Sequence, residues 1–471
     1  MANKTELTST QERAALMGSA RIGKLLLQFA VPAILMNLVS SLYNMVDKIF
    51  VGNMIGDLAI AATTVANPVM RLLTSFAVLI GAGGNALLAL RLGEGKHKEA
   101  EGILNNSFVL IAIISLTLSA LGLIFLEPLL GLLGCSELAL PYARTYVRII
   151  LIGGFFEAVT SGMGMFVRTD GKPKYMMACT VSGCLINIVL DPIMIGVFKW
   201  GIAGAAIATV FAQVISACLI LYYFTLSSRS TIKLRAKLLR LRADVTKTTC
   251  QLGTSSFISN ITGALTQAIM FASLSLYAPT REIGDIYVAS VGVTLSIGLL
   301  FMMPIVGMQQ AVQPILGYNY GAKKYDRVIG TFKWAMISVT VMAVLGWAVI
   351  LIWAEGLCRI FGANEAYLPI YARTMRVYNV TLPLVPVSML GANVFQSIGK
   401  PKKAILLSLT RQVFALLPAV LILPIFLGVD GVVSAMPVCD VISFTIGTLM
   451  VTRELREIRK MRDSARLPAR E

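Results

Sequence analysis

Twelve apolar runs of about 20 residues, separated by short polar or basic stretches, set the pattern of this chain. A helix needs about 20 apolar residues to cross ~30 Å of hydrocarbon. On that template, spans fall near residues 25–50, 57–82, 103–126, 144–166, 174–197, 200–225, 249–277, 286–310, 328–352, 370–395, 403–426 and 430–451. The pattern predicts an all-α integral membrane protein with a polar N-terminal tail (1–24), six spans (25–225), a connector (226–248), six further spans (249–451) and a C-terminal tail (452–471).

Composition agrees with the pattern. Hydrophobic residues make up 56% of the 471 positions and charged ones only 14%, against roughly 25% in an ordinary soluble domain. A net charge of +17 would suit nucleic acid if it were gathered on one surface. Instead, Lys and Arg collect in the two tails, in the loops after the even-numbered spans and in the connector, LSSRSTIKLRAKLLRLRADVTKT. That is membrane topology, and the positive-inside bias places both termini in the cytoplasm. The N-terminal tail lacks an apolar core and a cleavage site, so no signal peptide is expected and the first span serves as an uncleaved anchor. The seven cysteines form no C-x-x-C pair and mostly lie within apolar runs, where they act as small hydrophobes. The single histidine, His97, sits in a charged loop, and no clustered metal-binding acids such as D-D-x-x-D occur. Neither an enzyme nor a cofactor is expected.

The two sets of six spans repeat one another. GEGKHKEAE at 93–101 answers GYNYGAKKYDR at 317–327, with Gly95 set against Gly321; YART at 142–145 recurs at 371–374; GKPK at 171–174 recurs at 399–402; GIAGAAIA at 201–208 is echoed by GVDGVVSA at 428–435. Four matches in order at nearly one offset describe two six-helix bundles, pseudo-symmetric about the membrane normal around a central cavity. Such a duplication suits alternating access in a transporter.

Polar residues inside these spans then become informative. Asn37, Ser40, Asn44 and Asp47 follow helical spacing, with Tyr43 four residues before Asp47, so they share one face of span 1. An aspartate surfacing at the headgroups beside Lys48 would not explain a stripe that continues inward. Pro32 lies mid-helix and permits a bend. In span 5, NIVLDP places Asn187 and Asp191 on one face, with Pro192 weakening the helix after them. An acid within a span costs about 2.5–3.5 kcal/mol near the centre, and is a functional candidate by default. Glu157 in span 4 is a third acid, which either faces a cavity or partners Arg148 or backbone; Asp440 in span 12 is a fourth, without a polar stripe. Shifting Asp47, Asn187 and Asp191 by the repeat offset reaches Met270, Ala415 and Ala419, whereas span 7 keeps a neutral stripe of Ser256, Ser259, Asn260, Gly263 and Gln267. Ion chemistry is therefore expected in the N-terminal bundle. Met303 and Met308, among 22 methionines, are the thioethers best placed to line an adaptable pocket.

Taken in order, FAVP, YNMVDKIFVG, RLGEGKHKEAE, MFVRTDGKPK, NIVLDP and WGIAGAAIAT resemble the multidrug and toxic compound extrusion (MATE) family of cation-coupled antiporters, over essentially all twelve spans and most closely its DinF/MepA-like bacterial branch. The resemblance implies a coupling-ion site in the N-terminal lobe at Asp47, Tyr43, Asn187, Asp191 and, in GIAGAAIAT, Thr209, with Pro32 as the kink proline. The family's other main branch uses acids in spans seven and ten, and neither span here holds Asp or Glu. The function implied is H⁺- or Na⁺-coupled efflux of amphipathic organic cations across a bacterial plasma membrane, by a monomer. Its substrate cavity is expected at Glu157, Asn44, Ser40, Asn260, Gln267 and Met303. A flippase for lipid-linked saccharides, from the wider superfamily, is the alternative; it would need several cavity arginines or lysines, and the embedded candidates are chiefly Arg71 and Arg411.

Overall fold

The computed structural model describes residues 17–133, 135, 137–360 and 365–466. Most of the N-terminal tail and the end of the C-terminal tail therefore lie outside the described residues. Within them, twelve helices are long and apolar enough to cross a membrane: Ile22–Met54, Ala62–Gly93, His97–Ile124, Leu140–Thr169, Pro173–Val197, Gly201–Thr225, Ala243–Tyr277, Glu282–Gly321, Tyr325–Ile360, Glu365–Ser397, Pro401–Leu427 and Val429–Ser464. No strand occurs among the described residues. Each apolar run predicted from the sequence is met by one of these helices, here numbered span 1 to span 12. Two compact units result, one of residues 31–257 and the other of 258–471 together with 21–30.

Prolines shape the spans according to where their missing N–H falls. Span 1 runs as one helix through Pro32. Span 5 changes from α-helix to a π-helical turn, Ile193–Val197, directly after Pro192. Span 10 breaks: an α-helix ends at Asn379, a 3-10 turn covers Leu382–Leu384, and a second α-helix starts at Val385. TLPLVP carries Pro383 and Pro386 in this stretch, where neither ring nitrogen can donate to the helical ladder. The Trp347 indole N–H supplies a donor, 3.0 Å from the Val380 carbonyl.

The turns fix the register of the repeat. Gly171 and Gly399 both adopt a left-handed φ, of 79° and 77°, and the backbone hydrogen bonds around them correspond one for one at an offset of 228 residues. The turns after spans 2 and 8 obey the same offset: Gly95 N–H bonds to Leu92 O as Lys323 N–H bonds to Tyr320 O. Gly95 therefore corresponds to Lys323, with φ of 77° and 57°, and Gly93 corresponds to Gly321. The sequence match of Gly95 to Gly321 is out of register by two residues. It failed because glycine was assumed at the left-handed position, whereas the second half accepts a lysine there at some backbone cost.

Small residues set the closest helix contacts in the first unit. A Cβ added at Gly81 would sit 2.8 Å from Gly162 Cα, drawing span 2 onto span 4. Two residues on, a Cβ on Gly83 would sit 1.9 Å from Thr249 O, and one on Gly253 1.7 Å from Leu79 O. Spans 2 and 7 thus cross with backbone against backbone, the close approach that membrane helices reach through glycine. The connector is pinned to the same unit. Asn105 Oδ1 accepts from Arg235 N at 2.9 Å, Asn106 Oδ1 accepts from Arg242 N at 2.7 Å, and Asp170 accepts from the Tyr223 hydroxyl at 2.6 Å and from Thr231 N at 3.0 Å.

Candidate functional site

Span 5 builds one wall of the site. Its helical spacing puts Asn187 above Asp191, and Asn187 Nδ2 donates to Asp191 Oδ1 at 3.3 Å. Span 6 starts after the Gly201 turn and carries Thr209 to the same point, where its Oγ1 lies 3.5 Å from Asn187 Nδ2. Asn187 and Asp191 are completely shielded from solvent and Thr209 is 2% exposed. Span 1 brings Asp47 within hydrogen-bonding reach of Asp191, so that each carboxylate feels the other's charge. Tyr43, one turn before Asp47, directs its hydroxyl at Thr209 and the two carboxylates. The five residues expected to form the coupling site therefore meet in one place.

Sequence reasoning missed Tyr146. This buried span 4 residue directs a second phenol at Thr209, Asp47 and Asp191. Its signal was available: it lies four residues after Tyr142 of the repeated YART motif, one helical turn into the bundle.

The oxygens here outnumber the donors. Asp191 Oδ2 and Asn187 Oδ1 are buried and have no hydrogen-bond partner. A buried acceptor left unmatched costs roughly 1–3 kcal/mol. Two such acceptors beside a second carboxylate form a site that gains from a proton or a small cation, each of which supplies the missing positive charge. This is a built place for one monovalent cation. Among the described residues there is no cluster of three His, Cys, Asp or Glu side chains able to hold a metal.

The residues expected to line a substrate cavity do not all converge. Ser40 lies beside the pair, its Oγ 4.0 Å from Cys184 Sγ on span 5. The side chain of Asn44 lies outside the described residues. Glu157 accepts from the Ser161 hydroxyl at 2.7 Å and faces Thr74, and no ion pair joins it to Arg148. In the second unit, Gln267 lines a cavity of about 160 Å³ that neither Asn260 nor Met303 reaches. Asp440, without an evident partner in the sequence, accepts from Arg411 Nη2 at 3.3 Å and from the Thr381 hydroxyl at 3.0 Å.

Comparison with known proteins places this geometry. The MatE family model matches twice, over residues 32–193 and 257–421, one copy for each set of six spans. The FAD transporter of Shewanella oneidensis is 24% identical over 432 residues, covering 90% of this chain and 93% of that protein. The multidrug export protein MepA of Staphylococcus haemolyticus is 22% identical, covering 91% and 93%. Among solved structures, a MATE transporter in complex with MaL6 superposes with a TM-score of 0.88 at 23% identity, covering 94% of this chain and 99% of its own. A MATE transporter in the bent conformation also gives 0.88, at 22% identity, covering 96% and 98%. These likenesses, with family matches over both halves, establish that the chain belongs to the MATE family of multidrug efflux transporters.

Proposed function

We propose that the protein is a cation-coupled antiporter that exports amphipathic organic cations in exchange for H⁺ or Na⁺, with its coupling site in the first unit at Asp47 and Asp191. The observation that carries this reading is the pair of unmatched buried acceptors, Asp191 Oδ2 and Asn187 Oδ1, beside a second carboxylate. One cation taken up from outside completes the site, and span 1 responds through Asp47 with Pro32 as the place where it bends. The arrangement that holds the drug is thereby disfavoured and the drug leaves outward. The cation is then released inward. Each charge moving inward down 100 mV contributes ~2.3 kcal/mol, which sustains a roughly 40-fold drug gradient at about 1.4 kcal/mol per decade.

In this reading the protein works as a monomer in the plasma membrane with both termini cytoplasmic, as the distribution of Lys and Arg implies. The flippase reading finds less support. Arg71 is exposed and Arg411 is paired with Asp440, so these two do not form the basic cluster that a pyrophosphate would need.

The test is dye uptake into everted vesicles under a pH gradient alone and a sodium gradient alone, with wild type, Asp47→Asn and Asp191→Asn. One gradient should drive wild-type uptake of an ethidium-like cation, and both variants should abolish it while remaining at normal abundance in the membrane. Uptake at the wild-type rate by Asp47→Asn would overturn the mechanism.

A further inference from the structure

The second unit places charge where the first has none. Arg411 in span 11 and Asp440 in span 12 correspond, at the repeat offset of 228 residues, to Gly183 and Ala212 in spans 5 and 6. The equivalence is physical. A Cβ on Gly183 would lie 3.1 Å from Ala212 O, at the same crossing where Arg411 meets Asp440 at 3.3 Å. One half closes this crossing with small residues; the other opens it for a guanidinium and a carboxylate.

The arginine is not used up by its partner. Of its five N–H donors, the one recorded bond runs from Nη2 to Asp440, and Nε is buried with no hydrogen-bond partner. The Arg411 side chain is 17% exposed, against 4% for Asp440, and Arg411 lines the 160 Å³ cavity together with Gln412, Gln267 and Tyr378. The remaining walls are largely apolar, including Met270 and Met436. Backbone geometry changes at the same place, since Thr410–Leu416 is π-helical, a distortion that recurs at functional sites. Replacing a buried ion pair by apolar groups is commonly neutral or stabilising, so packing gives no reason to retain one here.

We propose that this cavity is a carboxylate-binding subsite: Arg411 holds the carboxylate of a zwitterionic amphiphile whose ring lies against the methionines. A volume of 160 Å³ admits about one aromatic ring, less than a whole drug-sized molecule requires, so the subsite takes one end of a larger substrate. Asp440 cancels the arginine's charge, which selects a monoanion over a phosphate dianion. The inference rests on the efflux reading and narrows it, adding cations that also carry a carboxylate to the substrates.

The experiment uses a rhodamine with a free benzoate and its methyl ester, bound to the purified full chain in nanodiscs and followed by fluorescence anisotropy. The double variant Arg411→Gln/Asp440→Asn keeps shape and neutrality. It should weaken binding of the free benzoate about tenfold or more, the loss of a charge-assisted hydrogen bond, and leave the ester within about twofold. Asp440→Asn alone leaves the arginine uncompensated and should tighten the free benzoate selectively. Parallel changes for both dyes, or no tightening in Asp440→Asn relative to the double variant, would show the pair to be a structural strut and overturn the proposal. Dye uptake into vesicles is scored separately. If the wild type binds the benzoate through Arg411 yet exports neither dye, the antiport reading fails and the subsite stands. If it exports the ester while binding shows no dependence on Arg411, the subsite alone fails.

Discussion

Adding one methyl group at Gly253 should have the opposite effect from adding one at Gly292. At Gly253 the new Cβ would lie 1.7 Å from the Leu79 carbonyl oxygen, whereas carbon and oxygen normally approach to about 3.3–3.6 Å. Span 2 would have to retreat by roughly 1.5–2 Å, the difference between those distances, and no flexible side chain is there to yield. Overpacking of this kind costs about 1–3 kcal/mol, at the upper end when backbone meets backbone. Alanine's better helix propensity returns about 1 kcal/mol, so the net loss is about 2 kcal/mol. At Gly292, in span 8, nothing lies within 4 Å of the added atom. There only the propensity and unfolded-chain effects remain, a gain of about 0.4–1 kcal/mol. Thermal unfolding of the purified variants in detergent should rank Gly292→Ala at or above wild type and Gly253→Ala clearly below it. Two variants of equal stability would refute a backbone contact between spans 2 and 7.

Glu454 is 1% exposed and takes ion pairs from both Lys400 and Lys403, the latter at 2.6 Å. Glu454→Gln should lose about 2 kcal/mol of stability, between the values for surface and buried pairs, and unchanged thermal unfolding would show the network to be inert. Asn106 holds the connector by accepting from Arg242 N and donating to Thr246 Oγ1 at 3.1 Å. Asn106→Ala should therefore speed trypsin cleavage at Arg240 and Arg242 with little change in global unfolding. Removing the Tyr146 hydroxyl as Tyr146→Phe takes one phenol from the acid pair, and should change the pH dependence of dye uptake without lowering the amount of protein in the membrane. A profile identical to wild type would place Tyr146 outside the coupling site.

The spans and most of the acid site could be read from the sequence because both rest on local rules. Apolar length gives a membrane crossing, and spacing of four residues puts Asn187 over Asp191. What could not be read were contacts that depend on two distant spans. Asp440 looked solitary because its stripe is not on its own helix; its partners, Arg411 and Thr381, come from spans 10 and 11. Tyr146 was overlooked for the same reason. The turn after span 8 misled in another way, since a lysine occupies the left-handed position where composition pointed to glycine.

The duplication explains why these two polar centres lie where they do. Both halves inherit one backbone plan, in which the fifth and sixth helices of each bundle touch at positions 29 residues apart, Gly183 with Ala212 and Arg411 with Asp440. Charge at that crossing therefore needs no new architecture, only a substitution that the surrounding helices can shelter. An acid or a base inside a span costs about 2.5–3.5 kcal/mol on insertion scales, and chance would not leave that cost in complementary form. Yet the first half keeps Asn187 and Asp191 where the second has Ala415 and Ala419, and the second keeps Arg411 and Asp440 where the first has glycine and alanine. Each bundle has one costly centre, and each centre holds a buried polar atom without a partner: an oxygen of Asp191 in one, the Nε of Arg411 in the other. The first offers acceptors to a cation, and the second offers a donor to an anion. A fold in which the two halves diverge to opposite polarity at matching helices is suited to reading both ends of a zwitterion while keeping the coupling ion's site distinct from the carboxylate's.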